Sequence, residues 1–218
     1  MKIIYDYQNR PCVTKFFDDA GNLEPLVGNE NVPVFGIELE VENTRILPTE
    51  AENRNSNELF ASRVLGTNKN LKCSHDSSLV NGFEITATPG TLGYYTNVFD
   101  WSFLDVIRDY SGSKIDGIGE RGFHIHMNKS SFKDEEHMSR FAHAIVTEVL
   151  NGSYMFQVNS YCKAEVSEGE YMAKYVSVNL QNTRTVEVRC FIPTTNKDEI
   201  INYIKYLGLM QGETKCTN

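Results

Sequence analysis

The chain has 218 residues, of which 40% are hydrophobic and 23% are charged, and its formal net charge is −8 at pH 7. This length and composition are typical of one globular domain or of two small ones. The acidic balance lacks the basic footprint that nucleic-acid binding requires, so we expect no nucleic-acid partner.

The cysteines and the hydropathy pattern indicate the compartment. The five cysteines are odd in number and widely spaced, without a Cys-x-x-Cys pair. This favours free thiols in a reducing compartment over a disulfide framework or a zinc site. The sequence has neither a long apolar run nor an N-terminal apolar block, so we expect a cytoplasmic protein without a membrane partner.

Residues 1–32 predict an N-terminal arm or hairpin, and the first strong strand pattern follows at residues 35–42. Side chains two positions apart share one face of a strand, so this strand has one aliphatic face and one acidic face. The acidic face carries Glu38, Glu40 and Glu42. Taken alone, such a strand is typical of a sheet edge with a solvated acidic side.

Capping and turn signals predict the next elements. The spacing Thr49-x-x-Glu52 predicts a capping box that begins a helix over about residues 50–65. The Asn81-Gly82 pair lies between two apolar-alternating runs and predicts a hairpin.

A second strand is predicted over residues 83–88, and its alternation turns Glu84 away from the apolar side chains. A helix over residues 97–110 and a glycine-containing loop over residues 112–122 follow.

The strand predicted over residues 123–128 places His124 and His126 on one face. A single histidine on a strand is usually structural. Two histidines that share a face are equally compatible with a structural role and with a ligand role.

The C-terminal part predicts two more strands between helices. In chain order, the predicted elements are a helix over 133–150, a loop over 151–172, strands over 174–180 and 185–191, and a helix over 197–210. Asn196 is placed to cap the last helix. The loop is long enough to indicate a substrate-facing flap, and residues 212–218 predict a frayed tail.

This order of elements predicts an α+β fold in which residues 33–211 form a single domain. Its sheet is largely antiparallel, and one apolar face packs on helices. The polar strand faces then share one surface. That surface carries Glu38, Glu40, Glu84, Glu187, His124, His126, Arg189 and Asn179.

Carboxylates a few ångströms apart raise one another's pKa unless cations lie between them, so the predicted surface implies bound metal. A carboxylate-rich site with imidazoles favours Mg²⁺ or Mn²⁺ over zinc. These metals commonly bind substrate phosphates, which an arginine such as Arg189 can clamp. From the residues alone, phosphoryl transfer and metal-assisted hydrolysis both stay open.

The ordered motifs resemble those of the amidoligase family, in the carboxylate–amine ligase superfamily with the glutamine synthetase fold. The motifs are Phe35-Gly-Ile-Glu-Leu-Glu-Val, Asp76-Ser-Ser-Leu-Val-Asn-Gly-Phe-Glu84, Gly122-Phe-His-Ile-His126, Lys174-Tyr-Val-Ser-Val-Asn179 and Thr185-Val-Glu-Val-Arg-Cys-Phe191, followed by Asn196. The resemblance spans roughly residues 33–205 and departs from the family at Arg121 and Lys174. It implies a curved antiparallel sheet whose concave face holds ATP and Mg²⁺.

The resemblance also implies a role for each site residue. It implies metal ligation by Glu38, Glu40, Glu84, His124 and Glu187. It implies catalytic roles for Arg189, His124 and Glu187, with Arg189 stabilising the transferring phosphoryl group. It implies ATP contacts from His126, Arg189, Asn179 and Lys174, and a supporting contact from Asn196.

The implied activity is ATP-dependent amide formation between a carboxylate and an amine, either small molecules or peptides, through an acyl phosphate. Two alternatives remain. One is a metal-dependent hydrolase or phosphotransferase on the same site. The other is an inactive binding or inhibitory protein that keeps the fold.

Overall fold

The computed structural model of the chain describes residues 14–43, 47–76, 79, 81–110, 113–114, 122–159, 162–167 and 175–215. Its α-helices are α1 Glu50–Thr67, α2 Leu92–Asn97, α3 Phe103–Asp109, α4 Glu135–Leu150 and α5 Lys197–Thr214. Its strands are β1 Lys15–Phe17, β2 Leu23–Pro25, β3 Phe35–Asn43, β4 Leu71–Ser74, β5 Gly82–Ala87, β6 Ser113–Lys114, β7 Phe123–Asn128, β8 Lys163–Ser167, β9 Val176–Asn179 and β10 Thr185–Val188. A short 3₁₀ turn, Lys129–Ser131, follows β7.

Within the described residues, β1 and β2 form a small hairpin and the other strands form an eight-stranded sheet. Seven of its strands follow the order β4-β5-β3-β7-β10-β9-β8, and β6 pairs with β3 beside this path. All described pairings are antiparallel except that of β8 with β9, which is parallel. The fold is therefore α+β with a mixed, largely antiparallel sheet.

The apolar face of the sheet packs against the helices in one continuous core. Ile37 and Leu39 of β3 and Ile125 of β7 share this core with Phe141 of α4 and Ile204 of α5. Alternation along each strand turns the polar residues to the opposite side. None of the helices in the described part of the chain has the length and apolar character needed to cross a bilayer.

The two predicted helix caps are confirmed. Thr49 and Glu52 form the capping box of α1, with each side chain accepting from the other's backbone N–H. Asn196 caps α5 by accepting from the Asp198 N–H at 3.0 Å. The predicted end of this last helix at residue 210 is wrong, because α5 continues to Thr214.

The single helix predicted over residues 97–110 is wrong. The chain instead forms α2, which begins after the Thr91 cap, and a separate α3. Between them the Trp101 indole N–H donates to the Tyr95 carbonyl at 2.9 Å. This tertiary contact folds the segment back on α2, although the apolar spacing alone fits one continuous helix.

The predicted hairpin is confirmed, because the consecutive strands β4 and β5 pair antiparallel with Ser74 opposite Glu84. Asn81 and Gly82 lie at the start of β5, where they make further contacts. Asn81 accepts from Asn57 of α1 at 2.7 Å and donates to the Asn43 carbonyl at 2.9 Å, within a buried network. A Cβ on Gly82 would lie 2.2 Å from the Val41 carbonyl oxygen. The glycine therefore allows a close approach of two strands, and its φ is not positive.

The loop predicted over residues 151–172 is also wrong in part, because β8 lies within it. β8 pairs in parallel with β9, and Lys163 is opposite Val176.

Candidate functional site

Four neighbouring strands, β3, β7, β10 and β9, place polar side chains opposite one another. Glu38 of β3 lies opposite His124 of β7, and His126 of β7 lies opposite Glu187 of β10. Glu187 in turn lies opposite Asn179 of β9. Residues opposite one another on neighbouring strands point to the same side of a sheet, so these side chains converge.

Glu38 lies between the two histidines. Its Oε1 is 3.3 Å from His126 Nε2, and its Oε2 is 3.5 Å from His124 Nδ1. His126 is oriented from its other side, where Nδ1 lies 3.1 Å from the Thr185 hydroxyl. The residues that meet here are nearly buried, with Glu38 only 8% exposed and His124 only 5% exposed.

Glu187 is held by side chains from two strands. Asn179 Nδ2 donates to its Oε2 at 2.9 Å, and Arg189 Nη1 donates to its Oε1 at 2.5 Å. The same Oε1 lies 3.5 Å from His124 Nδ1 and 4.0 Å from His126 Nε2. Glu187 is therefore fixed in both position and charge.

Glu40 and Glu84 occupy the other end of the polar face. They lie opposite one another on β3 and β5, and Glu84 is fully buried. The Gly122 backbone N–H donates to Glu40 Oε2 at 2.6 Å. Glu40 Oε1 lies 3.9 Å from His124 Nε2, which links this end to the centre.

His124 holds a proton more tightly than an ordinary histidine. Burial and the nearby Arg189 oppose its protonation, but the surrounding carboxylates outweigh them and raise the pKa of His124. These carboxylates are Glu38, Glu187 and Glu40. In the absence of other cations, a proton on His124 offsets part of the negative charge.

The two glutamates at opposite ends of the face differ in their acidity. Burial is the largest influence on both and favours the neutral acid. For Glu40 burial prevails and raises the pKa. For Glu187 the positive charges of His126, Arg189 and His124 together outweigh burial and lower the pKa.

Glu38, His126 and Glu187 form a group that fits a metal ion. Each offers one ligand atom, and these atoms all lie within 4.8 Å of one another. Two carboxylate oxygens and one imidazole nitrogen suit Mg²⁺ or Mn²⁺ in an oxygen-rich site. In the described part of the chain this is the group with such spacing.

The group of Glu38, His126 and Glu187, called the metal-sized group below, differs from the ligand set that the family resemblance implies. Glu38 and Glu187 belong to both sets. His126 joins them here, although the resemblance gives it an ATP contact. His124 lies next to this group, and Glu40 and Glu84 lie beyond it, but none of the three is part of it.

Of the other residues named with the family motifs, two are not described by the structure and one lies at a helix terminus. Lys174 and Arg121 are outside the described residues, as is most of the predicted loop over 112–122. Asn196 caps α5 and lines a cleft of about 660 Å³ together with Trp101 and Arg108. Its contacts are those of a helix cap.

Two supporting groups were not identified as such from the sequence. Thr185 orients His126 through its hydroxyl, and the Gly122 N–H holds Glu40. The alternation of β10 placed Thr185 on the polar face, which was a usable signal. The Gly122 contact depends on the approach of two strands, and no local pattern predicts it.

No protein-family model matches the chain, and no curated protein gives a significant sequence match. The geometry of the polar face and the sequence motifs are the remaining indications of function.

Proposed function

We propose that the chain is an ATP- and Mg²⁺-dependent carboxylate–amine ligase with a glutamine synthetase-like fold. The observation that carries this proposal is the group of Glu38, His126 and Glu187, two buried and one half-buried, whose ligand atoms lie within 4.8 Å of one another beside Arg189. The mixed α+β sheet and the ordered motifs along the chain support the same assignment.

The donor set supports a site for a divalent cation. Glu38, His126 and Glu187 are the residues that would hold it. A Mg²⁺ ion bound there neutralises negative charge on the ATP phosphates and on the transferring phosphoryl group.

Arg189 supplies a second positive charge beside this site. One of its Nη atoms is engaged by Glu187, while its buried Nε has no hydrogen-bond partner among the described residues. A guanidinium with a remaining donor is suited to a phosphoryl oxygen, because charge-assisted hydrogen bonds to phosphate are strong and directional.

In the proposed reaction an oxygen of the substrate carboxylate attacks the γ-phosphorus of ATP, and the bond to ADP breaks. The amine nitrogen then attacks the acyl carbon, inorganic phosphate leaves, and the amine loses a proton. The protein contributes position and fixed charge, which is the main demand of phosphoryl transfer.

The direct test is release of ADP and phosphate with a panel of amino-acid and peptide carboxylates, with hydroxylamine as the amine. We expect ADP release to require both Mg²⁺ and a carboxylate, with formation of a hydroxamate. ATP hydrolysis that ignores the carboxylate would contradict the ligase and support a hydrolase. Absence of Mg²⁺-dependent ATP binding would contradict both enzymes.

Matched variants connect this activity with the site. Glu187→Gln keeps the shape of the side chain but removes its charge, so we expect loss of Mg²⁺-dependent ADP release. Glu165→Gln changes an exposed glutamate of β8 in the same sheet and serves as the control, with activity retained. Equal activity in the two variants would place the reaction elsewhere.

A further inference from the structure

Gly122 makes two backbone contacts with Glu40. Its carbonyl accepts from the Glu40 N–H at 3.0 Å, and its own N–H donates to Glu40 Oε2 at 2.6 Å. The backbone of Gly122 thus holds both the main chain and the side chain of Glu40. One carboxylate oxygen is fixed by the peptide, and Oε1 is turned toward His124.

The missing side chain of Gly122 matters as much as its N–H. A Cβ at this position would lie 2.3 Å from His124 Nε2 and 2.8 Å from Glu40 Oε1. The glycines with positive φ in the described part of the chain are Gly21, Gly28 and Gly152, so Gly122 is not required for its backbone angles. It is required for space beside the imidazole ring.

We propose that Gly122 is a positioning residue, which sets the orientation of Glu40 and leaves the room in which the His124 ring lies. That Glu40 and His124 matter for activity rests on the proposed function. That Gly122 positions them does not, because the contacts are those of the metal-free protein. The atoms that a Cβ would overlap are ends of side chains. We therefore expect a substituted Gly122 to displace the site while the sheet remains intact.

Gly36 offers a matched control within the same sheet. It lies opposite His126 on β3, so both glycines border a histidine of the site. A Cβ on Gly36 would lie 3.7 Å from His126 Cβ and 3.8 Å from Pro89 Cγ, which is ordinary van der Waals contact. Alanine therefore fits at Gly36 but not at Gly122.

The experiment compares wild type, Gly122→Ala and Gly36→Ala in full-length protein. The first readout is the ¹⁵N chemical shift of the His124 ring nitrogens in the metal-free state, assigned with His124→Gln. The second is Mn²⁺ affinity by calorimetry, and the melting temperature monitors folding. We expect Gly122→Ala to move the His124 ring signals and to weaken Mn²⁺ binding about tenfold or more, whereas Gly36→Ala changes neither.

Unchanged ring signals in Gly122→Ala would overturn the inference. If Gly122→Ala fails to fold, the double variant Gly122→Ala/His124→Ala decides, because removing the ring removes the closest overlap and leaves space into which the Glu40 carboxylate can move. Recovery of folding in the double variant supports the inference, and continued failure overturns it. A wild type that binds no Mn²⁺ would instead contradict the proposed function, and the ring signals would still decide the role of Gly122.

Discussion

The two ends of the polar sheet face place a buried glutamate in opposite circumstances. Glu187 accepts from Asn179 and Arg189, and its pKa is lowered despite burial. Glu40 lies opposite Glu84 and accepts from the Gly122 N–H, and burial raises its pKa. Burial alone does not decide the charge of a carboxylate. Donors and cations close to the carboxylate also decide it, and at Glu187 they outweigh burial.

The largest effect should come from removing the cation at the β10 end. Arg189→Met removes the guanidinium that donates to the buried Glu187 carboxylate and leaves it, among the described residues, only Asn179 and the two histidines as partners, so we expect the free energy of unfolding to fall by about 3 kcal/mol. Urea denaturation measures this change. The control is Arg108→Met, which breaks the exposed pair of Arg108 with Asp105 and should cost at most about 1 kcal/mol. Similar losses of unfolding free energy in the two variants would show that the buried Arg189–Glu187 pair stabilises the protein no more than the exposed pair.

Neutralising the two glutamates should sharpen the contrast. Glu187→Gln weakens hydrogen bonds made to a charged group, and we expect a loss of about 1.5–3 kcal/mol in unfolding free energy. Glu40→Gln removes a charge that burial disfavours, so metal-free stability should be unchanged or higher. Denaturation of both proteins at pH 7 provides the measurement. A larger loss of unfolding free energy for Glu40→Gln than for Glu187→Gln would show that the charge of Glu40, and not that of Glu187, is the better stabilised.

The raised pKa of His124 predicts a pH dependence of stability. A group whose pKa is raised on folding stabilises the protein fully below its unfolded value, here the ordinary 6.5, and loses that contribution as pH rises through the folded pKa. The charges that face the ring are those of Glu38, Glu40, Glu187 and Arg189. We therefore expect the melting temperature of the metal-free protein to fall above pH 6.5.

His124→Gln should flatten that part of the pH profile, because the titrating group is gone. Glu187 acts in a separate window, since its lowered pKa gives stability that is lost only as pH falls below 4.5. A wild-type profile that rises through neutral pH would show that the carboxylates do not hold the proton on His124.

The smallest effect on stability should come from Thr185. Thr185→Val removes the hydroxyl that lies 3.1 Å from His126 Nδ1, and we expect at most about 1 kcal/mol of lost stability. Mn²⁺ affinity should fall about tenfold, because a partner of a ligating imidazole fixes its orientation. Thr147→Val, on the surface of α4, is the control. Equal Mn²⁺ affinity in the two variants would show that Thr185 does not orient the ligand.

Much of the fold followed from local sequence patterns. Strict alternation in β3, β5 and β7 predicted which residues point away from the core, and it identified Glu38, Glu84 and His124. Caps such as Thr49 are equally local, because the side chain bonds within its own first turn.

Features that depend on distant contacts were not predictable in this way. The break between α2 and α3 depends on the packing of Trp101 against Tyr95, and β8 depends on a parallel partner. The metal-sized group depends on strand register, which places His126 opposite Glu187. Sequence spacing shows that His124 and His126 share a face, but it does not say which one forms a group with Glu38 and Glu187 in which all three ligand atoms lie within 4.8 Å of one another.

The most direct test of the cation site is pulsed electron paramagnetic resonance of bound Mn²⁺. We expect nitrogen modulation from the imidazole of His126, which is lost in His126→Gln and kept in His124→Gln. Glu38→Gln and Glu187→Gln should weaken Mn²⁺ binding, whereas Glu165→Gln should not. Nitrogen coupling that disappears in His124→Gln but persists in His126→Gln, or Mn²⁺ binding that none of these substitutions changes, would contradict it.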